Sequence, residues 1–211
     1  MMNDAKAAAV GEMLFGVARG VKNFIYITVS TGIGGGIVLN GGLLEGAGFS
    51  AGEAGHMTLV PGGERCNCGK RGCLEAYASG SAIERYASRR ASQKSKKNLG
   101  PYLENSRLTA RGLSRAARKG NSLALETFQR AGSYFGVGLA NLLNILNPEL
   151  VVLGGGVIHS APPIFWQSMR RSLKADAWPE ALKSVRIVRT ALSKNAGNLG
   201  ALAVVFDSPG K

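Results

Sequence analysis

The stretch from His56 to Glu75, HMTLVPGGERCNCGKRGCLE, contains every cysteine of the 211-residue chain. Cys66, Cys68 and Cys73 lie close together, and nine residues separate the first of them from His56, one of only two histidines. Three thiolates and one imidazole complete a tetrahedral zinc shell and leave no open position for a substrate. The stretch therefore predicts a structural zinc-binding loop over residues 56–75. The simpler alternative is three unrelated buried thiols and a core histidine.

Composition bounds the class of protein. The chain is 45% hydrophobic and 18% charged, as expected for a globular unit with a sizeable core. Its net charge of +13 suits phosphate or nucleic acid partners, and equally an ordinary basic face. The uncharged run 23–44 holds six glycines, which argues against a membrane helix, and the N-terminus lacks the features of a signal peptide. We expect a cytoplasmic protein, where clustered cysteines bind metal more often than they form disulfides.

Local patterns predict an α/β fold whose second half alternates helix and strand, which favours a parallel component in the sheet. Helices are expected over 4–15, from about Leu74 to 91, and over 121–146, 162–175 and 196–206. Strands are expected over 24–30, 37–40, 150–153 and 185–190, with a glycine-rich turn over 31–36 inside a β-hairpin.

Several motifs together resemble those of the ROK family. GEAGH (52–56) followed by CNCGKRGCLE (66–75) carries the family's zinc and sugar signature. NDAKAAAVGE (3–12) is similar to its catalytic segment, with Lys6 where the family usually has Asn. TGIGGG (31–36) resembles its phosphate-binding loop, and VVLGGGV (151–157) its adenosine-binding segment. The resemblance implies the actin-like, ribonuclease-H-like ATPase fold, with residues 1–211 forming mostly the large C-terminal lobe.

The resemblance also implies a function. ROK kinases transfer the γ-phosphoryl group of ATP to a sugar hydroxyl, so a glucokinase-like hexose kinase that uses ATP, Mg²⁺ and structural Zn²⁺ is expected. Asp4 would be the general base, because phosphoryl transfer needs one carboxylate to orient the attacking hydroxyl. The other implied roles are sugar contacts by Asn3, Glu53, His56 and Glu75, nucleotide contacts by Thr31, Gly32, Gly34, Gly154, Gly155 and Gly156, and zinc ligation by His56, Cys66, Cys68 and Cys73.

Each role has a plainer alternative. Asp4 suits a helix N-cap, Glu53 and Glu75 suit a solvated surface, and glycines often serve only to turn the chain. The glycine segments are weak signals alone and gain weight from their order behind the catalytic segment.

The chain departs from the kinase pattern upstream of Asp4. The family's first phosphate element, of Asp-x-Gly-Gly type, is absent from these 211 residues. We therefore expect the small N-terminal lobe to be largely missing and the chain alone to have little or no kinase activity. A homodimer is expected for the intact protein.

Two other function classes remain open. One is a sugar-sensing ROK repressor without its DNA-binding domain, which the basic run 85–97 slightly favours. Nucleic acid is expected as a partner only in this alternative. The other is a non-catalytic, zinc-stabilised sugar-binding module.

Overall fold

A computed structural model describes residues 3–91 and 99–192 of the chain. Its helices are α1 (Asp4–Phe15), α2 (Glu75–Ala78), α3 (Gly80–Arg90), α4 (Ala110–Arg118), α5 (Ser122–Leu146), α6 (Gly156–Ser160), α7 (Pro163–Asp176) and α8 (Pro179–Ser184). Short 3₁₀ turns span Ala54–His56 and Gly100–Tyr102. Its strands are β1 (Phe24–Val29), β2 (Ile33–Leu39), β3 (Gly42–Leu43), β4 (Leu150–Gly154) and β5 (Arg186–Arg189). The helix expected over 196–206 and the end of the basic run 85–97 lie outside the described residues.

The strands form one mixed sheet in the order β3-β2-β1-β4-β5. β1 and β2 form the expected antiparallel hairpin, whereas β4 pairs in parallel with both β1 and β5. The parallel component predicted for the second half is therefore confirmed. Because β1 and β4 run in the same direction, their carboxyl ends meet at one edge of the sheet.

Helices cover both faces of this sheet. On one face, Ala8 and Ala9 of α1 pack against Phe24 and Tyr26 of β1. On the other, apolar residues of β1 and β4 join a large core with α5 and α7. Gly132 and Gly136 let α5 approach α7 so closely that a Cβ there would overlap the α7 backbone. No helix within residues 3–91 and 99–192 is long and apolar enough to cross a membrane.

The glycine run of the hairpin does not form a turn, contrary to the sequence-based expectation. Gly34, Gly35 and Gly36 lie inside β2, and the turn is confined to residues 30–32. A Cβ on Gly36 would lie 2.6 Å from the Ala9 Cβ, and one on Gly35 would lie 2.6 Å from the Gly52 carbonyl. These glycines therefore admit α1 against one face of β2 and residues 52–54 against the other.

Two other element boundaries were wrong. The helix expected from Leu74 to 91 is divided at Ser79, whose backbone is extended and whose hydroxyl caps α3 by accepting from the Ala82 N–H. The short helices α4, α6 and α8 were not predicted, because α4 is dominated by Arg and Ala and the other two span about one turn.

Candidate functional site

The structure brings the four predicted zinc ligands together. One ligand atom each from His56, Cys66, Cys68 and Cys73 lies within 4.8 Å of all the others. Cys68 and Cys73 have their sulfurs 3.8 Å apart, and His56 Nδ1 lies 3.7 Å from Cys66 Sγ. A tetrahedral zinc with bonds of about 2.3 Å to sulfur separates two sulfurs by about 3.8 Å. The side chains therefore fit a zinc ion, to which His56 would present Nδ1, the ring nitrogen beside Cys66 Sγ, and leave Nε2 for another partner.

The thiols differ in how readily they ionise. Burial raises the pKa of the Cys66 thiol to about 12 and also raises that of Cys73. In contrast, the backbone N–H of Lys70 lowers the pKa of exposed Cys68. A buried thiolate needs a nearby cation, and a zinc ion bound at this cluster would supply it.

The loop that carries the ligands is folded by its own backbone. Cys66 donates its N–H to Lys70 O at 2.8 Å, and the Gly69 N–H returns to Cys66 O at 3.1 Å. Gly69 and Gly72 adopt positive φ values of 89° and 84°, which L-residues with side chains rarely adopt. At Gly72 a Cβ would also overlap Val60 O. The glycines of CNCGKRGC thus form a tight turn that brings the ligands together.

Glu75 connects this cluster to the β-hairpin. Its Oε2 accepts the Ile33 N–H at 2.9 Å, directly after the turn, while Oε1 lies 3.5 Å from Cys66 Sγ. Gly32 faces the same carboxylate, because a Cβ there would lie against it. Glu75 is therefore a half-buried residue at a junction and not an ordinary surface acid.

The start of α1 gathers three of the predicted sugar and catalytic residues. Asn3 caps the helix, since its Oδ1 accepts the N–H groups of Ala5 and Lys6 at 3.0 Å. The Asn3 amide also donates to Glu53 Oε1 at 3.0 Å. Asp4 is exposed and is not the cap, so the alternative role for this residue falls to its neighbour.

This end of α1 lies at the edge of the sheet where the turn 30–32 lies. A Cβ on Gly34, near the start of β2, would lie 2.9 Å from the Ala5 Cβ, whereas Gly36 faces Ala9 further along the helix. The first turn of α1, which carries Asp4, therefore lies beside the start of β2, and β2 begins directly after the turn that carries Thr31 and Gly32.

The second glycine segment meets the same turn. Gly154 ends β4 beside Thr28, and Gly155 adopts φ 96° so close to β1 that a Cβ would overlap the Val29 backbone. Gly156 then begins α6. All the predicted nucleotide residues thus lie near the carboxyl ends of β1 and β4, the edge at which α/β sheets bind ligands.

A cleft of about 650 Å³ lies between α3 and residues 103–108. Ser81, Glu84 and Arg85 of α3 line one wall, and Leu103 and Arg107 contribute to the other. The Ser81 N–H donates to Thr31 O at 3.2 Å, so the cleft begins beside the turn.

Sequence reasoning missed the group that attaches the metal loop to the helices. The Arg130 guanidinium of α5 lies over the rings of Tyr77, Tyr86 and Tyr134 at 4.8, 4.5 and 5.1 Å. It also lies 3.7 Å from Glu64, which Arg89 contacts at 2.8 Å. These residues are far apart in the chain, so only a known packing of α2, α3 and α5 could have grouped them.

Comparison with known proteins gives a consistent family. The family model described as "ROK family" matches residues 1–208. The glucokinase of Halalkalibacterium halodurans is 40% identical over 200 residues, which cover 94% of this chain and 60% of the relative. The xylose repressor of Bacillus subtilis is 35% identical over 205 residues, covering 97% of this chain and 50% of the repressor. The chain therefore spans between half and two thirds of the length of these relatives.

A solved structure agrees with the fold. The ROK family glucokinase from Streptomyces griseus, in complex with glucose and AMPPNP, has a TM-score of 0.84 and 34% identity. The match covers 97% of this chain and 67% of the glucokinase. The mixed α/β sheet thus has the architecture of ROK sugar kinases, the actin-like ATPase class expected from the motifs.

Proposed function

The chain belongs to the ROK family, and we propose that it carries the sugar-binding and proton-accepting part of a glucokinase-like, ATP-dependent hexose kinase. The observation that carries this proposal is the convergence at one sheet edge of the Asn3–Glu53 pair, exposed Asp4 and the turn bearing Thr31 and Gly32.

Residues on this edge supply the proton acceptor and the first sugar contacts of the proposed reaction. Asp4 accepts the proton of the attacking sugar hydroxyl as the γ-phosphoryl group is transferred. Glu53 and Asn3 already share a hydrogen bond, so each presents its remaining polar atoms in a fixed orientation. His56 and Glu75 provide further hydroxyl contacts. Glucose is the sugar we favour, because the segments GEAGHM and GCLEAYASG resemble those of glucokinases.

The nucleotide and metals have separate places in the proposal. Backbone N–H groups around Gly32 and Gly155 face phosphate oxygens, and the cleft beside Thr31 is the space we assign to the nucleoside. Mg²⁺ enters with ATP, held mainly by phosphate oxygens and water. Zn²⁺ supplies only a fixed structure, which holds His56 and the start of α2. Reduced thiols of this kind suit the cytoplasm, where we place the protein.

The test begins with sugar binding by the whole zinc-loaded chain. Isothermal titration compares glucose, mannose, fructose, N-acetylglucosamine and N-acetylmannosamine. Glu53→Gln is expected to raise the Kd for glucose about tenfold or more, since it replaces a charged acceptor. Glu180→Gln, an exposed acid on α8, is the matched control and leaves the Kd unchanged.

Hexose-dependent ADP release is expected to be low or absent for this chain alone, so it is measured on a protein that also carries the small N-terminal lobe. In that protein Asp4→Asn is expected to lower turnover by a factor of about 10² to 10⁴ while glucose binding stays within a few-fold, because it removes a base and keeps the shape. Asp176→Asn, an exposed residue that ends α7, is the control. If none of the five hexoses binds, or if Glu53→Gln binds glucose as well as the unaltered chain does, the proposal is wrong.

A second candidate function is sugar sensing by a transcriptional repressor. It is favoured by the 35% identity to the xylose repressor of Bacillus subtilis over 97% of this chain. It predicts sugar binding without ADP release, together with duplex DNA binding that weakens steeply with salt in a protein carrying a DNA-binding segment. A sugar-binding module without catalysis predicts sugar binding without ADP release, and no DNA binding.

A further inference from the structure

Lys6 is unusual for its position. It lies on the first turn of α1, only 4% of its surface is exposed, and no carboxylate among residues 3–91 and 99–192 lies within 4.0 Å of its ammonium group. The N-terminal end of a helix carries partial positive charge, which disfavours a cation there. Burying an ammonium group away from water is also unfavourable unless it is hydrogen-bonded. A lysine is thus unfavourable at this site unless its ammonium group makes a hydrogen bond with a structural or functional role.

Its partner is the main chain of an exposed loop. Lys6 Nζ donates to Phe49 O at 2.7 Å. Phe49 lies in the 45–52 loop, which follows β3 and leads into Glu53. The side chain of Phe49 is 70% exposed, and its φ of 55° is uncommon for a residue with a side chain. The hydrogen bond from Lys6 therefore reaches Phe49, the residue of the loop with the uncommon backbone conformation.

The remaining bonds of this loop are short-range. Ala51 donates to Glu45 O at 2.9 Å, Phe49 to Gly46 O at 3.1 Å, and the Ser50 hydroxyl to Gly48 O at 3.0 Å. Such bonds shape the loop but do not attach it to the body of the protein. Residues 44–50 are all exposed, so little buried apolar surface attaches them either.

Two side chains at the start of α1, the N-cap Asn3 and Lys6, therefore attach the same segment twice. Asn3 holds Glu53, and Lys6 holds Phe49 four residues earlier. Asp4 lies between them on the same helical turn. These two bonds join the loop and Glu53 to the helical turn that carries the proposed general base, while Gly52 at the end of the loop packs against Gly35 of β2.

We propose that Lys6 is a positioning residue that holds the 45–52 loop against the first turn of α1 and so sets the affinity for the sugar. This inference rests on the proposed function, because it assumes that the sugar binds at Asn3, Asp4 and Glu53. A loop fixed before the ligand arrives spares the ligand the entropy of ordering it. The position is also the one at which this chain departs from the family's usual Asn.

The experiment compares Lys6→Met, which keeps the length and removes the donor, with Lys6→Arg, which keeps the donor. Lys22→Met, at an exposed lysine outside the loop, is the matched control. Zinc content, melting temperature, hexose and ATP Kd, and the rate of chymotryptic cleavage after Phe49 are measured on each zinc-loaded chain.

Lys6→Met is expected to raise the hexose Kd by about 10- to 100-fold, the loss associated with a hydrogen bond to a charged group. ATP Kd and zinc content stay unchanged, and cleavage after Phe49 accelerates at least about tenfold. Lys6→Arg returns both affected values to within about threefold of the unaltered chain. This selectivity and rescue would not follow from a general loss of stability.

Equal hexose Kd for Lys6→Met and the unaltered chain overturns the role of Lys6 and leaves the proposed function intact. If the unaltered chain binds no hexose, the proposed function fails and this inference fails with it. If Lys6→Met does not fold, amide hydrogen exchange at Phe49 and Ala51, whose N–H groups are hydrogen-bonded within the loop, decides the matter. Slow exchange in both the unaltered chain and Lys6→Arg supports the role, and fast exchange in either one refutes it.

Discussion

Replacing Gly36 by Ala separates two explanations for the glycine run of β2. If the glycines serve mainly to contact phosphate, an added methyl group should weaken nucleotide binding and leave stability unchanged. If they serve to admit α1, the same methyl group should destabilise the fold with no nucleotide present. The structure favours the second explanation, because Gly36 lies inside the strand and faces the helix.

The magnitude follows from three distances. The new Cβ would lie 2.6 Å from the Ala9 Cβ, 3.0 Å from Ala5 O and 3.2 Å from the Lys6 Cα. Carbon atoms in contact prefer about 3.5 to 4.0 Å, so α1 must move by about 1 Å. Overpacking of this kind costs about 1 to 3 kcal/mol, and we expect the upper half of that range because two of the three atoms belong to the backbone.

Thermal unfolding without ligands measures this cost. A loss of about 2 to 3 kcal/mol lowers the Tm of a chain of this size by about 4 to 12 °C. Gly100→Ala is the control, because nothing lies within 4 Å of its Cβ position, and it should change the free energy of unfolding by no more than about 0.5 kcal/mol. A Gly36→Ala chain that melts with the unaltered protein but binds ATP more weakly would refute the packing argument.

Three further predictions concern the metal loop and the core. Cys68→Ser should weaken zinc binding by at least about 100-fold, measured by competition with a chelator, and glucose affinity should fall with it. Arg130→Met removes the guanidinium from three tyrosine rings and should lower the free energy of unfolding by about 1 to 2 kcal/mol in urea titrations. Burial, and then Glu12, raise the pKa of Tyr26 above its usual value near 10. As the pH rises above about 10, this tyrosine therefore loses its proton in the unfolded chain before it does so in the folded one, which lowers the free energy of unfolding. In Tyr26→Phe the free energy of unfolding should fall less steeply above pH 10.

Each of these has an outcome that contradicts it. Loss of zinc from Cys68→Ser at unchanged glucose affinity would mean that the metal does not organise the sugar residues. An Arg130→Met chain as stable as an Arg111→Met control would show that the ring contacts contribute nothing measurable. Identical urea midpoints for Tyr26→Phe and the unaltered chain at both pH 8 and pH 10.5 would exclude a linkage through Tyr26.

The sequence predicted best where a local pattern leaves one physical solution. The apolar period of 121–146 and the following Asn147–Pro148 predicted a long helix and its end, and Asn147 indeed closes α5 in a left-handed conformation. The thiol and imidazole spacing of 56–73 predicted a metal cluster, and the structure brings those atoms together.

It predicted poorly where a residue has two uses that only distant contacts distinguish. Glycine turns a chain, and it also makes room for a neighbour, and the role of Gly34 to Gly36 depended on α1 and residues 52–54. Serine is tolerated in helices, but Ser79 has an extended backbone because its hydroxyl caps α3. The contacts of Lys6 and Arg130 likewise join segments that no window of sequence contains together.

The position of β1 has a consequence for how the chain is made. β1 is synthesised before its parallel partner β4, and Asn23 and Glu149, which bond at the start of this pair, are 126 positions apart. At ribosomal speeds of about 5 to 20 residues per second, the interval is on the order of ten seconds. During that time the hairpin of β1 and β2 has an apolar edge with no strand beside it, and α5 has not yet emerged to cover it. Until β4 has been made, this unpaired edge favours pairing with another chain or binding by a chaperone.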